Sequence, residues 1–194
     1  MIDLFVGDDG KTRCGWCRGS DLYQDYHDNE WGRAVHDDRR LFEKICLEGF
    51  QAGLSWITIL KKRDSFREAF YDFDATRVAK MNDEDVERLM TNAGIIRNRA
   101  KIRATINNAL KMPAMIDEFG SLDAFLWSFQ PEEGSRPRPK TMADVPAITD
   151  ESKQMSRQLK KRGWAYVGPT TCYAMMQAIG IVDDHLEGCY LATP

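Results

Sequence analysis

Apolar residues recur along most of the chain at the three- and four-residue spacing of α-helices, and the alternation typical of β-strands is nearly absent. Asp37 precedes a segment in which Leu41, Phe42 and Ile45 fall on one helical side, so Asp37 is a predicted N-cap. Asn82 and the acidic run at 83–85 predict the start of a second helix. These patterns indicate an all-α fold.

Further capping signals predict three more helices in the second half of the chain. Ser121 is expected to cap the segment "LDAFLWSF". Another helix is expected from position 149 or 150, and its basic last turn before Gly163 is a typical C-terminal arrangement. A last apolar helix is expected from position 170 or 171. The stretch "PEEGSRPRPK", residues 131–140, predicts an exposed loop between helices.

Length and composition indicate a cytoplasmic protein with a hydrophobic core. A chain of 194 residues, 43% of them hydrophobic, fits one domain or two small lobes that share a core. No run of about 18 apolar residues occurs, so no membrane segment is expected. The N-terminus lacks the basic start and long apolar region of a secretion signal.

Although the net charge is −3, the chain contains three basic clusters, at 61–63, 97–103 and 160–162. Local patches of positive charge, rather than the overall charge, make contacts to phosphates. Solvated helix faces give similar runs of charge. The charge pattern is therefore compatible with a nucleic-acid partner without requiring one.

Five cysteines, an odd number, argue against a disulfide framework. Cys46 and Cys172 lie in apolar helical segments and are predicted to be packing residues. The other three lie near the ends of the chain, together with two of the three histidines.

Those terminal residues suggest a metal site that joins the two ends of the chain. His27 follows Cys14 by thirteen positions, and Cys189 follows His185 by four. Two cysteines and two histidines suit a closed tetrahedral zinc site, although the spacing is not that of a zinc finger. In the alternative interpretation, His27 is a surface residue and Cys189 a free thiol.

Two other residues leave the ligand set open. Cys17 forms a Cys-x-x-Cys pair with Cys14, which is compatible with a redox pair or with Cys17 replacing another ligand. His36 is a further candidate in a charged segment, where a solvated side chain is expected.

The stretch "VERLMTNAGIIRNRAKIRATI" predicts two helices joined by a tight turn at Gly94. We expect Gly94 to take a positive φ and to let another backbone approach closely. Amide groups at the turn would face a phosphate, with Arg97, Arg99, Lys101 and Arg103 following them. The pattern resembles the helix-hairpin-helix module of DNA repair enzymes, but a plain helical turn with a basic surface fits it as well.

Glu48 is an acidic residue on the apolar side of a predicted helix, where a carboxylate is costly unless it is paired or hydrogen-bonded. A structural role, such as capping a neighbouring helix, is one explanation. A second explanation is suggested by aromatic residues on either side of it in the sequence, which are Tyr23, Tyr26 and Trp56. Aromatic faces and one acceptor form a pocket suited to a flat, electron-poor ring.

Several segments together resemble the 3-methyladenine DNA glycosylase I family. They are "RCGW", "YHDNEWG", "LFEKICLEGFQAGLSWITILKKR", "NAGIIRNRAKI", "KKRG" and "DDHLEGC", and they run from about Arg13 to Cys189. Phe50 and Ala174 depart from the polar residues typical of the family, and both are expected to alter hydrogen bonding at the pocket edge. Residues 1–12 are interpreted as an extension of unknown role before a single domain at 13–194.

The resemblance implies a helix-hairpin-helix glycosylase fold, with the hairpin near 82–110. It implies one structural zinc ion in segments 14–27 and 185–189, held by Cys14, His27, His185 and Cys189. It also implies that Glu48 is the functional carboxylate of a base pocket formed by Tyr26 and Trp56, with Tyr23 close by. Gly94, Arg97, Arg99 and Lys101 are the expected DNA contacts.

The implied activity is excision of 3-methyladenine from double-stranded DNA that carries alkylated bases, by a monomer that releases the free base. A base must leave the stack before such chemistry, and Leu54 is the predicted apolar wedge that fills the gap. No general base and no lysine nucleophile is identified, so no strand cleavage is expected. The alternatives are a non-catalytic zinc-stabilised DNA-binding module and a glycosylase with a shifted alkyl-base range that includes 3-methylguanine.

Overall fold

The computed structural model describes residues 2–132 and 134–192, and most of that part of the chain is helical. The α-helices α1 to α10 span, in order, Asp21–Asn29, Asp38–Gln51, Trp56–Leu60, Arg63–Ala69, Ala75–Val78, Asp83–Thr91, Arg99–Phe119, Leu122–Trp127, Asp150–Lys161 and Pro169–Ala178. Two short 3₁₀ helices lie at Gly15–Cys17 and Tyr71–Phe73.

Four of these helices begin at the capping residues that the sequence predicts. The side chains of Asp37 and Ser121 accept hydrogen bonds from the backbone N–H groups of the first turns of α2 and α8. Asn82 and Thr149 form reciprocal capping boxes at the starts of α6 and α9. Helix α10 begins at Pro169, slightly before the predicted position, because the fixed φ of proline suits the first helical turn.

Helix α2 is the central element of the core. Every residue from 41 to 50 is buried, and the helix contacts α3, α7, α8 and α10. Three of these buried residues carry charge: Glu43, Lys44 and Glu48. Glu43 bonds to two arginines and Lys44 to Glu30, whereas Oε2 of Glu48 has no partner among the described residues. A buried polar atom without a partner needs a physical explanation.

A β-hairpin at the N-terminus departs from the predicted all-α class. Strands β1 (Leu4–Val6) and β2 (Thr12–Cys14) pair antiparallel, with Leu4 opposite Cys14. Three residues are too few to display a period of two, so the sequence pattern could not reveal them. The first strand lies within the predicted extension and pairs with the start of the domain.

The described residues of the segment 131–140, which leave out position 133, are irregular, as predicted, although they are not purely an exposed linker. The guanidinium groups of Arg136 and Arg138 face the protein and bond to Asp184 and Asp183. Across the described residues, none of the helices combines the length and apolar character required to cross a bilayer.

Candidate base pocket, metal cluster and DNA-binding hairpin

A cavity of about 400 Å³ opens between α1, α2, α3 and α10. Its lining is mostly aromatic and apolar, with two amide and two carboxyl side chains. The lining residues are Trp16, Tyr23, Tyr26, Trp31, Glu48, Gln51, Trp56, Met142, Val145, Pro146, Ala147, Thr170, Tyr173, Ala174, Gln177 and Asp184. The volume lies within the range of pockets that bind small molecules.

Glu48 lies on the α2 wall with only 4% of its surface exposed. Burial raises the pKa of Glu48 to about 8, and the positive charge of Lys44 acts in the opposite direction. The Lys44 ammonium lies 4.9 Å from the ring centroid of Tyr26 and 5.9 Å from that of Trp56. The site thus contains a carboxylate that gains from a positively charged or hydrogen-bond-donating partner.

The aromatic residues predicted around Glu48 do meet in this cavity. The ring centroids of Tyr26 and Trp56 are 5.4 Å apart, and Tyr23 lies edge-on to Trp16 at 4.9 Å. Trp16 and Trp31 line the same cavity. Nε1 of Trp56 is buried without a partner among the described residues, so the pocket has an unused hydrogen-bond donor as well.

Sequence reasoning missed the wall opposite Glu48. Asp184 is buried there and accepts hydrogen bonds from the Tyr173 hydroxyl at 2.5 Å and from Nε2 of Gln177 at 2.8 Å. Arg136 donates to Asp184 at 3.0 Å and to the Tyr173 hydroxyl at 2.6 Å. Asp184 stands in the motif "DDHLEGC", but only the fold brings Arg136 and α10 to it.

The two departures from the family pattern have different positions. Ala174 lines the cavity, as expected. Phe50 does not, because its ring packs in the core, 4.6 Å from Phe66 and 5.9 Å from Phe70. The expectation that Phe50 alters hydrogen bonding at the pocket edge is therefore wrong.

A second cluster joins the two ends of the chain. The sulfur atoms of Cys14 and Cys189 and a ring nitrogen of His27 all lie within 4.8 Å of one another, and all three residues are buried. A hydrogen bond with Cys14 lowers the pKa of Cys189, which favours a thiolate there. Buried thiols and an imidazole nitrogen at this spacing are suitable ligands for a soft divalent metal ion.

His185 lies beside the cluster, with its ring centroid 4.9 Å from that of His27. Its Nδ1 bonds to Asp183 at 2.7 Å, and its Nε2 is buried without a partner in the described part of the chain. His27 likewise directs Nδ1 to Asp28 at 2.8 Å. Carboxylates on Nδ1 hold both rings in the orientation that offers Nε2 to a metal.

The alternative ligands lie elsewhere. The Cys17 thiol donates to the backbone carbonyl of Cys14 at 3.1 Å and is not part of the three-residue cluster. His36 is exposed, bonds to Asp123 at 2.8 Å and stacks on Trp127. Of Cys17, His36 and His185, only His185 places a buried, unpartnered ring nitrogen beside the cluster, although it too lies outside the three-residue group.

The predicted hairpin consists of α6, the loop 92–98 and α7. Gly94 does not take a positive φ, contrary to the prediction. A Cβ there would lie 2.9 Å from both Cβ and Oγ of Ser65, so close approach explains the glycine. Its N–H is bound to the Asn92 side chain at 2.8 Å and is not free for a phosphate.

The basic residues after Gly94 have unequal surroundings. Arg97 is exposed, and no ion pair to it occurs within residues 2–132 and 134–192. Arg99 is paired with Glu87 through two guanidinium nitrogens. Lys101, expected to contact DNA, is buried and donates to the carbonyls of Phe50 at 2.8 Å and Ala52 at 2.6 Å. Lys101 therefore fixes the end of α2 instead of facing a phosphate.

Leu54, the predicted wedge, lies in the loop between α2 and α3, and 41% of its surface is exposed. Gly53 precedes it with a φ of +79°, a conformation that L side chains rarely adopt. The loop follows Gln51 and precedes Trp56, both of which line the cavity. Leu54 thus stands next to the pocket on the protein surface.

Solved structures share this fold. A crystal structure of 3-methyladenine DNA glycosylase I superposes with a TM-score of 0.89 at 49% identity, over 93% of this chain and all of that one. A variant of 3-methyladenine DNA glycosylase I in complex with 3-methyladenine superposes with a TM-score of 0.87 at 35% identity, over 92% of this chain and 96% of that one. The fold is thus that of a DNA glycosylase.

The sequence comparisons identify the family within this class of enzymes. Residues 16–192 match the family model for methyladenine glycosylase. The DNA-3-methyladenine glycosylase of Haemophilus influenzae is 49% identical over 92% of this chain and 96% of its own length. The chain belongs to the methyladenine glycosylase family.

Proposed function

We propose that the protein is a DNA base-excision repair glycosylase that hydrolyses the N-glycosidic bond of 3-methyladenine in alkylated DNA. One observation carries the proposal: Glu48 has an unpartnered oxygen in a cavity with the faces of Tyr26 and Trp56. A relative solved in complex with 3-methyladenine supports the choice of base.

In this proposal the pocket selects a cationic purine. Methylation at N3 gives adenine a positive charge and makes the base a good leaving group. The base would stack against Tyr26 and Trp56, with about 0.5–2 kcal/mol for each cation–π contact. Glu48 would accept a hydrogen bond from the exocyclic amine, and its negative charge would favour the cationic base.

The positive charge on the bound base also makes the N-glycosidic bond easier to break. Because the cationic base leaves readily, the enzyme needs little acid catalysis at the base. As the bond breaks, its electron pair moves onto the base, which leaves as a neutral molecule, and the positive charge passes to the sugar, to which water then adds. The pocket is complete within one chain, which supports action as a monomer.

The hairpin and the wedge supply the contacts to duplex DNA. Arg97 is the exposed cation best suited to a phosphate, with Gly94 shaping the loop that carries it. Arg99 would contribute less because Glu87 competes for its guanidinium group. Leu54 would enter the duplex and fill the space that the flipped base leaves.

Cys14, His27, His185 and Cys189 would hold one structural zinc ion. When bound, zinc supplies a cross-link between the ends of the chain and leaves no open position for a substrate. Closing so long a loop restrains the unfolded chain by about 4–5 kcal/mol in the chain-entropy treatment of cross-links. The carboxylate of Asp28 bonds to Nδ1 of His27 and that of Asp183 to Nδ1 of His185, and both contacts support this assignment.

Release of bases from methylated duplex DNA tests the activity, with chromatographic separation of 3-methyladenine and 3-methylguanine. Glu48→Gln should lower the release of 3-methyladenine about 10- to 100-fold, since a hydrogen bond to a charged group contributes about 1.5–3 kcal/mol. Glu68→Gln, which changes an exposed glutamate outside the cavity, is the matched control.

Each alternative gives a different result in this assay. DNA binding without release of any base would identify a binding module and overturn the proposal. Preferential release of 3-methylguanine would indicate a shifted range, for which Ala174 on the pocket wall is the structural basis. Equal release by the wild type and Glu48→Gln would remove Glu48 from the reaction.

A further inference from the structure

The N-terminal hairpin lies before residue 16, where the match to the family begins. Its turn is closed by hydrogen bonds from the Gly7 N–H to the Lys11 carbonyl and from the Gly10 N–H to the Gly7 carbonyl, both at 2.9 Å. Oδ1 of Asp9 accepts a bond from the Lys11 N–H at 3.2 Å. This turn places the Asp9 carboxylate over the side chain of Arg13.

Arg13 is held between two carboxylates and is only 5% exposed. Its terminal nitrogens donate to the two oxygens of Asp9, each at 2.7 Å. Nε and Nη2 donate to Asp28 at 3.0 and 2.7 Å. A Cβ on Gly7 would lie 2.5 Å from Nη1 of Arg13, so glycine leaves room for the guanidinium group.

The contacts continue from Asp28 to the metal cluster. Oδ1 of Asp28 bonds to Nδ1 of His27 at 2.8 Å, and the opposite ring nitrogen lies among the sulfur atoms. Four side chains, Asp9, Arg13, Asp28 and His27, thus form one unbroken chain of hydrogen bonds. The orientation of the His27 ring depends on the outer members because Arg13 fixes the carboxylate that holds it.

The hairpin also covers the cluster from outside. Leu4 on β1 packs against the buried group formed by Cys14, Leu186 and Cys189. The Gly15 N–H donates to the Asp3 carbonyl at 2.6 Å, and the Tyr190 N–H donates to the Thr12 carbonyl at 2.8 Å. The hairpin therefore contacts both segments that carry the metal ligands.

We propose that the N-terminal hairpin is a clasp for the metal centre, in which Asp9 and Arg13 are positioning residues that orient His27 through Asp28 and slow the loss of the ion. This inference rests on the proposed zinc site. It assigns a role to residues 1–12, for which the sequence indicated none.

The experiment measures the transfer of zinc from the full-length protein to a colorimetric chelator in excess. Asp9→Asn should release zinc about 3- to 10-fold faster than wild type, and Asp28→Asn faster still, since direct partners of ligand histidines affect metal affinity about 10- to 100-fold. Arg13→Lys keeps the positive charge but loses the paired hydrogen bonds that the guanidinium group donates to Asp9 and Asp28. It should therefore also accelerate the transfer of zinc. Asp8→Asn, at the exposed neighbouring aspartate, is the matched control and should match wild type.

The possible outcomes test the clasp separately from the proposed zinc site and from the proposed glycosylase activity. Equal zinc-release rates for Asp9→Asn and Asp8→Asn in a zinc-containing protein would overturn the clasp alone. A wild-type protein purified without zinc, and unable to take it up, would overturn the zinc site and the clasp together. Base release with zinc in excess should be the same for wild type and Asp9→Asn, and this assay tests the glycosylase activity independently.

Discussion

The rings of Tyr26 and Trp56 face each other at an angle of 45° with their centroids 5.4 Å apart. At this separation the two rings are in direct contact, so a purine would lie against the wall that they form rather than between them. The Lys44 ammonium already lies near both rings. The aromatic wall and the Glu48 carboxylate line the same cavity, and this arrangement is the basis of the proposed selection of a cationic base.

The pH dependence of base release should report the ionisation of Glu48. Because burial raises the pKa of Glu48 to about 8, the free enzyme gains its carboxylate as the pH rises through that value. We expect kcat/KM for 3-methyladenine release to rise with pH up to about 8 and this step to vanish in Glu48→Gln. A flat profile in the wild type would contradict a role for the ionised form.

The same group should make the wild type less stable at high pH. A folded pKa above the usual 4.5 means that the folded protein binds the proton more tightly, so Glu48 contributes stability that is fully present below about pH 4.5 and is lost as the pH rises through about 8. Relative to Glu48→Gln, the free energy of unfolding of the wild type should fall across that range. Urea titrations of both proteins at several pH values measure the difference, and a constant difference would contradict the pKa shift.

Trp56→Ala should weaken binding of free 3-methyladenine roughly 2- to 12-fold, the equivalent of one aromatic stacking contact of about 0.5–1.5 kcal/mol. The free base is neutral, because the electron pair of the broken N-glycosidic bond stays on it, so this measurement reports the stacking contact alone. Calorimetric titration measures the affinity. Trp127→Phe, outside the cavity, is the control, and an unchanged affinity in Trp56→Ala would argue against stacking on Trp56.

Arg97→Gln should lower the affinity for all DNA sequences and reduce the slope of log K against log salt by about 0.9, the value for one phosphate contact. Arg88→Gln changes an arginine paired with Asp85 and serves as the control. Fluorescence anisotropy at several salt concentrations provides the slopes. If Arg97→Gln keeps the wild-type slope, the hairpin loop is not part of the DNA interface.

Leu54→Ala should slow excision from duplex DNA roughly tenfold, if the wedge contributes about 1.4 kcal/mol to the flipped state. Binding of free 3-methyladenine should not change, because Leu54 lies outside the cavity lining. Leu110→Ala, which changes a leucine on α7 with 57% of its surface exposed, is the control. A loss of free-base binding in Leu54→Ala would indicate a defect in the pocket instead of a missing wedge.

Much of the local structure followed from the sequence alone. Caps such as Asp37 and Asn82 act through neighbouring backbone groups, so short-range patterns identify them. Glu48 stood out because a carboxylate on an apolar helical side needs a partner. The motifs around it were distinctive enough to indicate the family, which the comparisons confirm.

Only the tertiary structure decided which polar groups are free. Lys101 and Arg97 look alike in the sequence, yet one is bound to the end of α2 and the other is exposed. The chain from Asp9 to His27 and the wall around Asp184 join residues that are distant in sequence or lie on different elements. Such contacts depend on how helices and loops pack, and no local spacing encodes them.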